Sequence, residues 1–395
     1  MTPTGLTSRP PAAQTPPPPP PPSGGRTPQP GRLTPRRALF GRGRSRRPAA
    51  AGQGGAPVTV AHPFGLAMAP DGSLFVSQPL HHQVSRISGD GTVAVYAGSG
   101  HAGLAGDGGP ATTAELNSPY GIAVDAHGAL YIADHFNNRI RRVGPDGAVS
   151  TWAGSGLAGP PLAPSVRVAA AHLALNRPRS LAVGADGVLY VASTDNHQII
   201  RVYPDGVGEL VAGCGESGLS GDGDAAVRAR LSGPHDVTLA AGGLVIADTN
   251  NRRVRFVDPV GRISTLAGTA AGGLGGPSAY GDPSGPGPGR RTDATRADQT
   301  DIGRPSAIDA GPSGLVVADP YQHRVLTITW DGLVRPLAGG GRSAASVDGT
   351  PAVMAGLDGP RGLALAPDGS VYIAETGRQR IRIVSPSGVL TTLTA

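Results

Sequence analysis

From residue 63 to the end of the chain, apolar and polar positions alternate in short runs, and glycine-bearing turns separate the runs. In "PYGIAVDAHGALYIADHFNNRIRRVGPDGAVSTWAG" (119–154) the runs fall at 121–125, 130–134, 139–143 and 149–152. Their length, β-branched content and period of two predict four successive strands, a to d, of one antiparallel sheet. The same phrase begins again at Pro63, Pro178, Pro234, Pro305 and Pro360, which makes six copies. Between a and b stand "PDG" (70–72), "AHG" (126–128), "ADG" (185–187) and "PDG" (367–369), and between c and d "GDG" (89–91), "PDG" (145–147, 204–206) and "WDG" (330–332). Glycine enters the left-handed region without steric penalty and Asp tolerates it, as tight hairpins require. A four-stranded meander repeated six times predicts an all-β fold, a six-bladed β-propeller of four-stranded antiparallel blades. The last copy carries its own strand d at 389–393, and 58–60 is the segment expected to cover its outer edge.

Composition adds a second region. The 62 glycines and 40 prolines exclude long helices. Residues 1–56 hold a run of seven prolines (16–22, after Thr15), nine arginines and no acidic residue, a composition that builds no core. The expected organisation is therefore a disordered Pro/Arg-rich tail at 1–56 and a propeller at 57–395. The whole chain carries +6, so removing the nine arginines of the tail leaves about −3 on the propeller. One cysteine, Cys214, excludes an intramolecular disulfide framework and a multi-cysteine zinc site. No apolar run is long enough to span a bilayer. Arg36-Arg37 suggests twin-arginine export, but further arginines occupy the place of the apolar segment. The expectation is a cytoplasmic protein.

The pattern P-x-G-[IL]-A-[VM]-x-x-x-G-x-[LV]-[YF]-[IV]-A-D-x-x-N-x-R-[IV] resembles the NHL repeat, a propeller family of bacteria and animals. "AGSGHAGLAGDGGPATTAELNSP" (97–119) is similar to the extended bacterial variant and to the NHL portion of teneurins. The resemblance implies the propeller fold over about 57–395. Gln78, Ser193 and Glu375 depart from the Asp of the pattern.

Loop length distinguishes the two faces. The connections from each "AG" to the next repeat run 20, 23, 20, 36 and 20 residues, far beyond ordinary loops. Long loops on a rigid scaffold commonly carry binding, so the face of the b–c turns and d-to-a connections is the expected ligand face. There the residue after each opening proline, Phe64, Tyr120, Arg179, His235, Ser306 or Arg361, enters the innermost strand near the channel. With Asp236, these aromatics, arginines and histidine form a candidate site for an anion, a sugar or a peptide carboxylate. The competing reading is that they plug the channel mouth.

Two further sets read as structural. Asp134, Asp248, Asp319 and Glu375 end strand b, each five residues before Arg139, Arg253, Arg324 or Arg380. These pairs are expected to hold the b–c turns. His82, His197 and His323 share one b–c position with Asn138. The resemblance extends to peptidyl-hydroxyglycine lyases, which suggests a zinc ring, but outer turn positions on alternate blades lie too far apart for ligands about 2 Å from one ion. No metal and no cofactor are expected.

Three "GxGxxG" matches (98–103, 154–159, 213–218) follow strand d at one phase, without the βαβ unit of a dinucleotide site. The calcium-like "AGDGGPA", "SGDGDAA" and "SVDGTPA" (105–111, 220–226, 346–352) lack a terminal glutamate, since Gly233 stands twelfth from Asp222. Their Asp-Gly turns are expected to shape loops, followed by a helical turn with a docked leucine. The insertion at 268–305, with Arg290 and Arg291 at its tip, is the longest connection.

These features point to a non-enzymatic interaction scaffold that binds a protein, peptide or glycan on the long-loop face, as a monomer. One alternative is a lyase or lactone-type hydrolase at the channel mouth using His235, Asp236 and Tyr120. Another is weak RNA binding, seen in some animal members of the family. The acidic propeller supplies little phosphate neutralisation, so no specific nucleic acid is expected.

Overall fold

The computed structural model describes residues 60–269, 295–340 and 346–393. The tail, all of 58–60 except Val60, and the tip of the insertion with Arg290 and Arg291 lie outside the described residues. Six antiparallel sheets follow one another along the chain, each a meander in the order a-b-c-d. In blade two the strands are Pro119–Val124, Leu130–Asp134, Arg139–Val143 and Val149–Ala153. Strand b is buried along its whole length, as expected of a strand covered on both faces, while strand d exposes Ser150 between buried Val149 and half-buried Thr151. None of the described helices is long and apolar enough to cross a membrane.

The core consists of wedges between neighbouring blades. Tyr131, Ala133 and Ile140 of blade two meet Leu181, Leu189 and Val191 of blade three, with Leu173 and Leu175 of the connection inserted between them. Connection residues do the same at other junctions: Leu116, Leu231 and Leu357 follow the 3-10 turns Ala111–Thr113, Ala226–Arg228 and Ala352–Met354 and are buried. Each buried leucine contributes about 1.5–3 kcal/mol.

Part of each connection runs along the outer rim, where it covers the free edge of the next strand d. Arg167–Ala169 pairs with strand d of blade three, Thr295–Arg296 with that of blade five and Thr350–Pro351 with that of blade six. Those blades are therefore five-stranded. Single bridges from Pro110 to Ala148 and from Ala225 to Arg262 do the same for blades two and four. Covering an edge removes a template for aggregation. The edge of blade six is paired at Val389 and Leu390 by Thr350–Pro351, and Val60, the one described residue of 58–60, packs against the wedge between blades one and six. The ring closes side by side. Leu66 and Val76 of blade one meet Ala364 and Ile381 of blade six, and Thr376 Oγ1 donates to the Pro63 carbonyl at 2.6 Å.

The "AG" that ends strand d in blades one to five has a steric cause. Gly98, Gly154 and Gly213 adopt φ of 93°, 98° and 91°, and a Cβ there would strike the carbonyl of His82, Asn138 or His197 in the b–c turn. They are also the first glycines of the three dinucleotide-like matches. Strand packing accounts for them.

Candidate functional site

Strand a is innermost, so one edge pairs with b and the other faces the axial channel. A bulge opens strand a in blades two, three, four and six, where the register shifts at Pro119/Ile122, Pro178/Ser180, Pro234/Asp236 and Pro360/Gly362. A bulge re-aims a side chain. It leaves Tyr120, Arg179, His235 and Arg361 outside the ladder, at the mouth.

There the rings of Phe64 and Tyr120 meet edge to face at 4.4 Å. The Arg179 guanidinium lies 5.2 Å from the Phe64 centroid and 5.1 Å from that of Tyr120, and the Arg361 guanidinium 5.9 Å from Phe64. Phe64, Arg179, His235, Asp236, Ser306 and Arg361 all line one cavity of about 260 Å³. Among the described residues, neither arginine has a carboxylate partner. His235 Nδ1 and Ser306 Oγ likewise lack a hydrogen-bond partner.

The charges at the mouth follow from this enclosure. Burial pushes the His235 imidazole down to about 2, assisted by the cations Arg179, Arg361 and Arg304, so His235 is neutral. Burial also pulls Arg179 below its ordinary value. Asp236 is pushed up to about 7 by burial, against three hydrogen bonds that favour its charged form. Its Oδ1 accepts from Ser180 Oγ (2.5 Å) and Val237 N (2.8 Å), and its Oδ2 from Ile308 N of the next blade (2.7 Å). Asp309 repeats the device, accepting Leu365 N at 2.8 Å. These carboxylates cap the free inner-edge amides of strand a. Both Asp236 oxygens are therefore engaged away from His235.

The strand-b acids are fully buried, as expected of groups that organise turns, but two of their pairings differ from the sequence expectation. Glu375 meets Arg380 Nε at 2.6 Å, and Asp319 meets Arg324 Nε at 3.5 Å. Asp134 and Asp248 instead face Arg141 (3.4 Å) and Arg255 (3.3 Å), two residues beyond Arg139 and Arg253. Arg139 donates to the Ser155 carbonyl and Arg253 to the Arg252 carbonyl. Arg141, Arg255 and Arg382 are completely buried and reach the Asp-Gly loops: Arg141 meets Asp107 at 2.7 Å, Arg255 meets Asp222 at 2.6 Å and Arg382 meets Asp348 at 3.4 Å. The three calcium-like loops are arginine clamps. Blades one and three, with Ser85 and Ile200 at this position, have no such loop.

The b–c turns lock neighbouring blades together. His82, His197 and His323 adopt φ of 52°, 55° and 53°, and each Nδ1 accepts a backbone N–H just before the next repeat, from Ser118, Gly233 or Gly359 at 3.1–3.2 Å. Asn138 Oδ1 does the same for Arg177 N at 2.8 Å. No group of three or more metal-ligating side chains occurs among the described residues. A second latch, missed in the sequence, binds the next proline carbonyl. Thr194, Thr249 and Thr376 donate to Pro234, Pro305 and Pro63, and His135 Nδ1 to Pro178 at 3.1 Å. The signal was the threonine that follows the last strand-b residue in three copies.

Burial pushes His135 down to about 4. Its folded pKa is depressed, so the stability linked to it is present above the unfolded value of about 6.5 and is lost as pH falls towards 4. The stability difference between wild type and His135→Gln is expected to shrink across that window in urea titrations. A difference independent of pH contradicts this assignment.

On the rim of the mouth, Phe136 and Tyr321 occupy one position in opposite b–c turns and are 48% and 51% exposed. Arg177 lies 5.6 Å from the Phe136 ring centroid and Arg304 5.2 Å from that of Tyr321.

Residues 80–164 match the family model of the Teneurin NHL domain, and 357–384 that of the NHL repeat. The chain is similar to Teneurin-3 of Danio rerio, 32% identical over 350 residues, covering 82% of this chain and 11% of that protein. It is also 32% identical to Teneurin-m of Drosophila melanogaster over 237 residues, covering 53% of this chain and 8% of that one. The chain thus spans about a tenth of the length of these curated relatives. Among solved structures, a gluconolactonase from Xanthomonas campestris superposes with a TM-score of 0.50 at 15% identity, covering 80% of this chain and 83% of that one. At that identity the likeness is one of fold alone.

Proposed function

Starting from the fact that the chain is an NHL-repeat β-propeller, we propose that it is an interaction scaffold whose protein partner docks on the b–c turn face, around the channel mouth. The observation that carries this reading is the pair of exposed aromatic rings, Phe136 and Tyr321, each beside an arginine and both flanking a mouth where two guanidinium groups have no carboxylate partner among the described residues. Aromatic and arginine side chains dominate the energetics of protein interfaces. Phe64, Tyr120, Arg179, His235 and Arg361 supply the centre of the surface, with Asp236 fixing the strand beneath them. The lyase or hydrolase alternative needs a coupled acid–base set, and the hydrogen bonds of Asp236 run to Ser180, Val237 and Ile308 instead.

The test is site-specific photo-crosslinking in the native host. Probes at 136 and 321 are expected to capture a protein, whereas probes at the exposed hairpin positions 127 and 205 on the opposite face are not.

A further inference from the structure

We propose that the channel mouth is a receptor site for a carboxylate group. Around the ring, Phe64 and Tyr120 stand side by side on blades one and two, Arg361 and Arg179 flank them on blades six and three, and Ser306 and His235 complete the circle. Ser306 is 6% exposed, lines the cavity and has no partner for its hydroxyl. His235 Nδ1 is buried and also unpartnered.

A buried polar group without a partner calls for an explanation. The contrast within this chain is sharp: the buried guanidinium groups of Arg141 and Arg255 each face two carboxylates, while the half-buried Arg179 and Arg361 face none among the described residues. Two guanidinium forks, a hydroxyl and a ring N–H in the corresponding tautomer are all donors. What satisfies them together is an acceptor with at least two oxygens, and a planar carboxylate matches the fork of arginine.

The rest of the cavity selects among anions. Phe64 provides an apolar wall for a carbon skeleton, with the Tyr120 ring packed edge to face against it. Asp236 and Asp309 line the same cavity, and burial raises both acids, which weakens their competition with a bound carboxylate for the arginines. A volume of about 260 Å³ admits a small acid or the last residue of a peptide.

The carboxylate has two possible sources, a free organic acid or the C-terminus of a docked partner. The peptide form rests on the docking reading above, and the free-acid form does not. Arginine footprinting of the full wild-type chain with phenylglyoxal, read by mass spectrometry, separates them. The probes are succinate, a short peptide with a free C-terminus, the same peptide amidated, and inorganic phosphate.

Succinate or the free-acid peptide is expected to slow labelling of Arg179 and Arg361 severalfold, while Arg296, with a side chain 68% exposed, labels at an unchanged rate. Protection by the peptide alone assigns the site to a partner's C-terminus; protection by succinate assigns it to a free acid as well. Ser306→Ala is expected to raise the half-protecting concentration about tenfold. Equal protection by the amidated peptide, protection by phosphate as strong as by carboxylate, or no protection by any probe overturns the proposal. Failure of crosslinking at 136 and 321 with carboxylate protection intact removes the docking reading and leaves this site standing.

Discussion

Replacing Arg255 with alanine lowers folding stability by about 3–5 kcal/mol, the range expected when one partner of a buried ion pair is removed. The Arg255 side chain is fully buried, and it meets Asp248 at 3.3 Å, Asp222 at 2.6 Å and the Ser220 carbonyl at 3.1 Å. Asp248 is also fully buried, and burial already pushes it up to about 6 against the pull of Asn251, Ser232 and Arg255. Without Arg255 that carboxyl must either stay charged and unpaired or take up a proton. The same change at Arg230, whose exposed side chain meets exposed Glu216, costs less than about 1 kcal/mol. Urea denaturation of the two variants at pH 7 checks the contrast, and equal losses would refute it.

Asp236→Ala has the second largest expected effect, about 2–4 kcal/mol, because it strands the Ser180 hydroxyl and the amides of Val237 and Ile308. The effect depends on pH in a direction opposite to that of His135. The folded pKa of Asp236 is raised to about 7 from 3.8, so the stability linked to its proton is full below about 3.8 and lost as pH rises through 7. The difference between wild type and variant therefore narrows between pH 4 and pH 7. A gap that widens over that range would mean that the carboxylate, and not the acid, is the form held in the channel.

Much of the fold was legible because it repeats. Strands b and c of blade two begin and end where the alternation places them, since the hairpins that bound them depend on local turn chemistry. The bounds of strand a and the rim strands were not, because bulges and edge cover arise from contacts far apart in sequence. The arginine pairing shows the limit most clearly. Asp134 and Arg139 are directly opposite in the ladder, yet the ion pair forms on the diagonal with Arg141. Residues two apart on a strand share a face, so Arg141 remains within reach. Glu375, longer by one methylene, does reach Arg380, the residue directly opposite. In blade five the diagonal position is Leu326, which leaves Asp319 to Arg324. The joint occurrence of a strand-b acid, the diagonal arginine and an Asp-Gly loop in blades two, four and six was readable in the sequence; reading it required knowing that the connection returns to the next blade. The residues that follow each opening proline do come together at the mouth, but which of them lack partners depends on contacts between blades that the repeat does not show.

The most direct measurement of the central claim, that the b–c turn face is where a protein partner is held, is the crosslinking comparison of 136 and 321 with 127 and 205 in the native host. Captured protein from the first pair alone is the predicted result. Capture from the hairpin positions at an equal or higher yield, or from none of the four, would contradict it.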